Sequence, residues 1–152
     1  MKWVAADIEM YQKAAEYVDT AIIPLLPVSF DSDMKQSASM AEFVGILTGQ
    51  LEKQFKGRIF LLPAFVYIKG HSGNLKTLQE WEKTVLDKQF KHLFFVTSDS
   101  SWRQHENEMS GTLLWLPSLP LEHMQDQQKV SIVEDQVKQL LTLFTEKWEQ
   151  EE

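Results

Sequence analysis

Two aspartates one residue apart, Asp31-Ser32-Asp33, stand where an apolar run ends. Carboxylates at that spacing, at the end of a buried strand, can jointly hold a divalent cation beside a phosphate. His71 sits in the glycine-rich stretch Gly70-His71-Ser72-Gly73-Asn74, from which an imidazole reaches the carboxyl edge of a sheet, where ligands of α/β proteins usually bind. Asp99, with Ser100 and Ser101, follows another apolar run and adds a carboxylate and two hydroxyls. Asp31, Asp33, His71 and Asp99 are therefore the residues on which a ligand or a reaction would depend. Their bland counterpart is ordinary turn chemistry, since short acidic turns and exposed turn histidines are common in surface loops. The four histidines, at 71, 92, 105 and 123, form no pair at the two- or four-residue spacing of a strand or helix metal site, so no zinc site and no bound cofactor are expected. The glycine-rich nucleotide fingerprints and the GxSxG nucleophile elbow are absent.

Eight elements would have to position these residues. Ile8, Tyr11, Ala15 and Val18 recur at helical spacing behind Asp7 as N-cap, giving a first helix over Asp7 to Val18. Thr20 to Phe30 is apolar, short and broken by Pro24 and Pro27, as in a buried strand with distorted ends. A polar loop from Asp31 to Ser39 leads to the capping box Ser39-Met40-Ala41-Glu42 and a second helix, which Gly57 closes in a left-handed conformation. Arg58 to Lys69 is rich in branched and aromatic residues and reads as the second strand. Asn74 or Ser72 caps a third helix with Leu78, Trp81 and Val85 inward. His92 to Thr97 and Gly111 to Leu116 are two more strands. The polar link Ser98 to Ser110 allows them to pair antiparallel as an open hairpin, or parallel if a short helix forms within Arg103 to Met109. A second capping box, Ser131-Ile132-Val133-Glu134, opens the last helix, whose acidic tail Glu149-Gln150-Glu151-Glu152 opposes the helix dipole and should fray. The proline after two apolar residues in Ile22-Ile23-Pro24, Leu61-Leu62-Pro63 and Trp115-Leu116-Pro117 belongs at strand ends, bulges or sheet edges.

The order α-β-α-β-α-β-β-α implies a three-layer α/β sandwich: a four-stranded, mostly parallel or mixed sheet with helices on both faces, Rossmann-like or flavodoxin-like in outline. No composition break divides the 152 residues, so residues 1–152 are expected to form a single domain. With 43% hydrophobic and 24% charged residues the chain can build a core. A net charge of −7, with lysines interleaved among acids, argues against nucleic acid as a partner by charge repulsion. The longest apolar stretch, Ala21 to Phe30, is about half of what a membrane-spanning helix needs, and it contains prolines. The lack of cysteine excludes disulfides and thiolate chemistry, and with an early Asp7 instead of a signal-like apolar run it points to a reducing, cytoplasmic setting.

Asp31-Ser32-Asp33 is similar to the first motif of haloacid-dehalogenase-type phosphatases and to the paired aspartates of many glycosyltransferases. Those phosphatases carry Thr or Val where this chain has Lys35, and no later acidic pair is found. The opening Trp3, Asp7-Ile8, Tyr11, Ala15 and Tyr17-Val18-Asp19-Thr20-Ala21, followed by Ile23-Pro24-Leu25 and Pro27, resembles the YpiF-like family of small uncharacterised proteins from Bacillus-type bacteria. That resemblance implies a bacterial cytoplasmic protein and carries over no catalytic residue. The favoured reading is a non-catalytic binding or accessory module that presents loops or an aromatic-bearing face, with Trp3 and Trp102 as anchors, to a protein partner; a homodimer is compatible with it. The alternative is a small divalent-metal-dependent phosphoryl or glycosyl transfer enzyme using Asp31 and Asp33, with His71 or Asp99 assisting.

Overall fold

The central strand β1 (Thr20–Val28) is apolar on both faces because helices cover both. The computed structural model, which describes residues 1–88 and 90–150, arranges four further strands around it in a five-stranded sheet. On one side β1 pairs with β2 (Ile59–Leu61) and then β3 (Phe65–Ile68); on the other it pairs with β4 (His92–Thr97), which pairs with β5 (Thr112–Trp115). Every pairing is parallel. Helices α2 (Met34–Gln54) and α4 (Asp126–Gln150) bring Phe43, Leu47, Val137 and Phe144 onto one face. Helices α1 (Ala5–Ala14) and α3 (Asn74–Leu86), with the 3₁₀ segment Ser100–Glu108, cover the other through Tyr11, Leu78, Val85 and Trp102. The architecture is the three-layer sandwich expected from the order of elements.

Of the two arrangements open to the last two strands the structure has the parallel one: the 3₁₀ segment, held by Asp99 at its start and by buried Trp102, returns the chain so that Phe94 to Thr97 lie beside Thr112 to Trp115. Several other local expectations are corrected. The second helix begins at Met34, five residues before the capping box at Ser39, because the Ser37 hydroxyl donates to the Pro27 carbonyl and ties the first turn to β1. It ends at Gln54, and Gly57 is not left-handed; among the described residues positive φ falls only on Gly70, at 82°, where the chain turns after β3. The last helix starts at Asp126, ahead of Ser131, and α1 starts at Ala5, with Asp7 in its first turn accepting from the Lys2 amide. The cap of α3 is Gly73, while Asn74 donates its side-chain amide to the Ile68 carbonyl. Trp81 is exposed and Glu82 buried on α3, since Glu82 accepts the Ser110 and Gly111 amides. Trp102 is core, not a surface anchor. Glu151 and Glu152 of the acidic tail lie outside the described residues.

The second strand is two strands, β2 and β3, with Leu62 to Ala64 between them. That break explains the prolines of β1, which lie in the middle of the sheet and not at an edge. The carbonyls of Ile22 and Val28 accept from Leu62 and Lys69, so even-numbered residues of β1, including Pro24, turn their backbone toward β2 and β3. Pro24 thus has its missing donor opposite the interruption. Pro27 turns the other way, beyond Pro24–Val96, the last pair with β4. Neither proline costs the sheet a ladder bond.

Candidate functional site at the carboxyl edge of the sheet

In a doubly wound sheet the chain leaves β1 in opposite directions, and the crevice at that switch point, beyond the carboxyl ends, is the usual ligand site. Here the switch lies between β1 and β4. The segments after β1, β3 and β4 carry Asp31 and Asp33, His71, and Asp99 respectively, so all four sequence-derived residues arrive at one edge.

Their individual surroundings differ. Asp33 accepts hydrogen bonds from the Ser29 hydroxyl and from Lys69 Nζ, the latter at 2.6 Å. These two bonds, Lys69 foremost, hold its carboxyl below the usual aspartate range, and in return Asp33 pushes the Lys69 ammonium up. Asp31 is exposed, and its backbone amide donates to the same Ser29 hydroxyl at 3.2 Å. Asp99 is 3% exposed. One of its oxygens accepts the Tyr67 hydroxyl at 2.7 Å; the other accepts the Ser101 amide at 3.0 Å and the Ser101 hydroxyl at 2.8 Å. Tyr67 in turn accepts Trp102 Nε1 at 2.7 Å. Burial, reinforced by the neighbouring Asp99 carboxylate, pushes the Tyr67 hydroxyl far above the ordinary phenol range, so it stays a donor. His71 is exposed and lines an open depression of about 370 Å³, whose wall and floor include Tyr67, Ser101, Trp102, Gln104 and His105.

The arrangement therefore joins Asp99 and His71 to one depression, through Tyr67 and Ser101; Asp31 and Asp33 do not line it, and Lys69, which holds Asp33, also feels the charge of Asp99. Among the described residues no three His, Asp or Glu side chains gather as a metal ligand set. Asp99 is occupied as a positioning group for the 3₁₀ segment. The groups that face an incoming molecule in the depression are neutral hydroxyls and amides and two imidazoles, His105 being held by Glu108 at 2.6 Å.

A second feature of this edge is apolar, and sequence reasoning missed it. Phe30, Met34, Val66 and Ile68 are 75%, 55%, 58% and 57% exposed. Val66 and Ile68 point away from buried Phe65 and Tyr67, on the side of the sheet where α2 lies, and stand in register with Leu26 and Val28. Helix α2 packs over β1 and β2 and leaves β3 uncovered on that side. The available signal was the all-apolar run Phe65-Val66-Tyr67-Ile68, which reads as burial on both faces, whereas a strand at the sheet edge is covered on one.

The class defined by this fold and edge is a parallel, doubly wound α/β fold with a polar crevice flanked by an open apolar strand. Within that class the chain belongs to the family described as protein of unknown function, DUF2487, which it matches over residues 9–148. It is 32% identical over 148 residues to the uncharacterized protein YpiF of Bacillus subtilis (strain 168), a match covering 97% of this chain and 98% of that protein. No solved structure matches it. The resemblance carried by the first thirty residues thus extends along the chain. Among the described residues no helix is long and apolar enough to cross a membrane.

Proposed function

We propose that this domain is a non-catalytic binding module that works through protein contacts made at the apolar flank of the carboxyl edge. The observation that carries the reading is the grouping of Val66 and Ile68 on one outer strand face, with Phe30 and Met34 exposed on the segments that follow β1. Isolated exposed apolar residues are ordinary, but a group of them beside polar loops is the mark of a contact surface. The polar residues of the same edge support this over a catalytic role. The carboxylate that would start a metal site, Asp33, is engaged by Lys69 and Ser29, and Asp99 spends both oxygens on the fold. A photocrosslinking amino acid at Ile68, compared with one at exposed Lys138 on α4, tests the reading in cells that make the protein. Protein adducts formed at position 68 and not at 138 are expected; equal labelling at both, or none at 68, would overturn it.

A further inference from the structure

The outer edge of the sheet beyond β1 is covered along one half and bare along the other. Beside β2, the Leu61 amide donates to the Met1 carbonyl at 2.8 Å and Lys2 bridges Leu61 in parallel, so an extended segment already lies there. Beside β3 no strand pairs among the described residues except β1. The Lys69 amide donates to Val28 of β1, so by alternation residues 65, 67 and 69 turn their backbone inward, and Val66 and Ile68 turn theirs out. The Ile68 carbonyl is already taken, by the His71 amide at 3.2 Å and by Asn74 Nδ2 at 2.8 Å. Among the described residues, the outward groups of β3 with no hydrogen bond are thus the amide and carbonyl of Val66 and the amide of Ile68.

Natural edge strands avoid pairing by being very short or by means of lysine, proline, a bulge or inward-pointing charge. Phe65 to Ile68 is short, at four residues, but has none of the chemical devices within it; the interruption at Pro63 precedes it and Lys69 follows it, bonded to Asp33. We propose that a second copy of this chain docks on β3, antiparallel and centred on Val66, so that two five-stranded sheets join into one. This inference rests on the protein-contact reading above and names the partner. Three observations favour a second copy over a foreign segment. The one residue with both backbone groups free, Val66, would sit on the twofold axis, where its amide and carbonyl face the carbonyl and amide of the other Val66. The axis stands perpendicular to the sheet, so Val66 and Ile68 of both copies fall on the same side and merge into one apolar strip. Ala64 to Ile68 carry no charge, and Lys69 is neutralised by Asp33, so the net charge of −7 on each copy is not opposed to itself at the contact. A twofold contact also closes on itself and leaves no bare edge to propagate.

Mass measurement by light scattering on the intact chain at about 10 to 200 µM, with near-ultraviolet dichroism as the check on folding, tests this. Wild type is expected at twice the chain mass. Val66→Pro removes an outward amide and leaves every bond to β1, so it should halve the mass with the fold retained. Ile68→Asp should do the same through the apolar strip, and it decides the matter if the proline variant misfolds. Leu143→Asp, on the exposed face of α4, should remain dimeric. A monomeric wild type across the range, or a dimer that survives both β3 substitutions, overturns the inference. The first result combined with protein adducts at position 68 would leave the contact reading standing with a foreign partner; no adducts at 68 would remove both.

Discussion

One phenol oxygen, that of Tyr67, serves two buried groups at once, donating to Asp99 and accepting from Trp102. Tyr67→Phe strands a carboxylate oxygen and an indole amide inside the protein, and such a loss should cost about 2–3 kcal/mol in urea unfolding. Asp99→Asn keeps one acceptor but must turn its NH2 toward donors at either Tyr67 or Ser101, so it should also destabilise the fold; either variant as stable as wild type would show that the network does not work as drawn. The Asp33–Lys69 pair is exposed enough to be screened by salt, and its signature is a pH window. The Asp33 carboxyl is depressed in the folded state, so its contribution is complete above the ordinary aspartate value of about 3.9 and is lost as pH falls through the lower folded value. The Lys69 ammonium is raised, so its contribution is complete below the ordinary lysine value of about 10.4 and is lost as pH rises through the higher folded value. The melting-temperature difference between wild type and Asp33→Asn should therefore be flat between about pH 5 and 10 and close at both ends. A difference independent of pH would mean that the pair contributes nothing. That strand ends would collect Asp31, Asp33, His71 and Asp99 at one edge was legible from the apolar runs. Which of them would be tied up was not, because Lys69 stands 36 residues from Asp33, and Tyr67 stands 32 residues from Asp99.

Between elements, α3 is tied by one side chain to the turn that leads into β5. Glu82 on α3 accepts the amides of Ser110 and Gly111, the second at 3.0 Å, and a Cβ at Gly111 would lie 2.7 Å from the Phe95 ring and 3.1 Å from the Leu93 carbonyl. Gly111→Ala must push β5 off β4 or drop the Glu82 bonds, and about 1–3 kcal/mol of destabilisation is expected by thermal or urea unfolding. An Ala variant as stable as wild type would show that β5 can move freely at this point. The same join explains what periodicity could not reveal. Periodicity gives the stripe on α3 as Leu78, Trp81 and Val85, because a tryptophan outranks a glutamate for burial when only the helix is considered. The decision is made by two amides almost thirty residues away, which need an acceptor. By contrast, β1, β4 and the presence of the last helix were legible, since each has its pattern set by one surrounding: the middle of a covered sheet, or one face of a helix. Strands β2 and β3 merged into one in the sequence because their break, Leu62-Pro63-Ala64, is itself apolar.

The molecule as a whole has two hydrophobic layers, one on each face of a single sheet. Tyr11, Leu78 and Trp102 belong to one, and Phe43, Phe144 and Trp148 to the other. β1 and β4 supply both layers from alternate residues, Ile22 and Phe94 to one side and Ile23 and Phe95 to the other. A strand cannot leave one layer without leaving the other, and α4 is further fixed to β1 by the bond from Trp148 Nε1 to Thr20 Oγ1 at 2.8 Å. From this we predict that residues 1–152 unfold as one unit. Variants that keep Trp102 or Trp148 as the single tryptophan, with the other four replaced by Phe, report on opposite layers. Their urea midpoints should coincide within error once each is compared with its own far-ultraviolet dichroism. Phe144→Ala, which opens a cavity in the α2–α4 layer at a cost of about 3–5 kcal/mol, should shift the Trp102 signal as far as the Trp148 signal. Displacement of only the Trp148 transition would mean that α4 detaches before the sheet opens, and the chain would then hold two cooperative units where the shared strands require one.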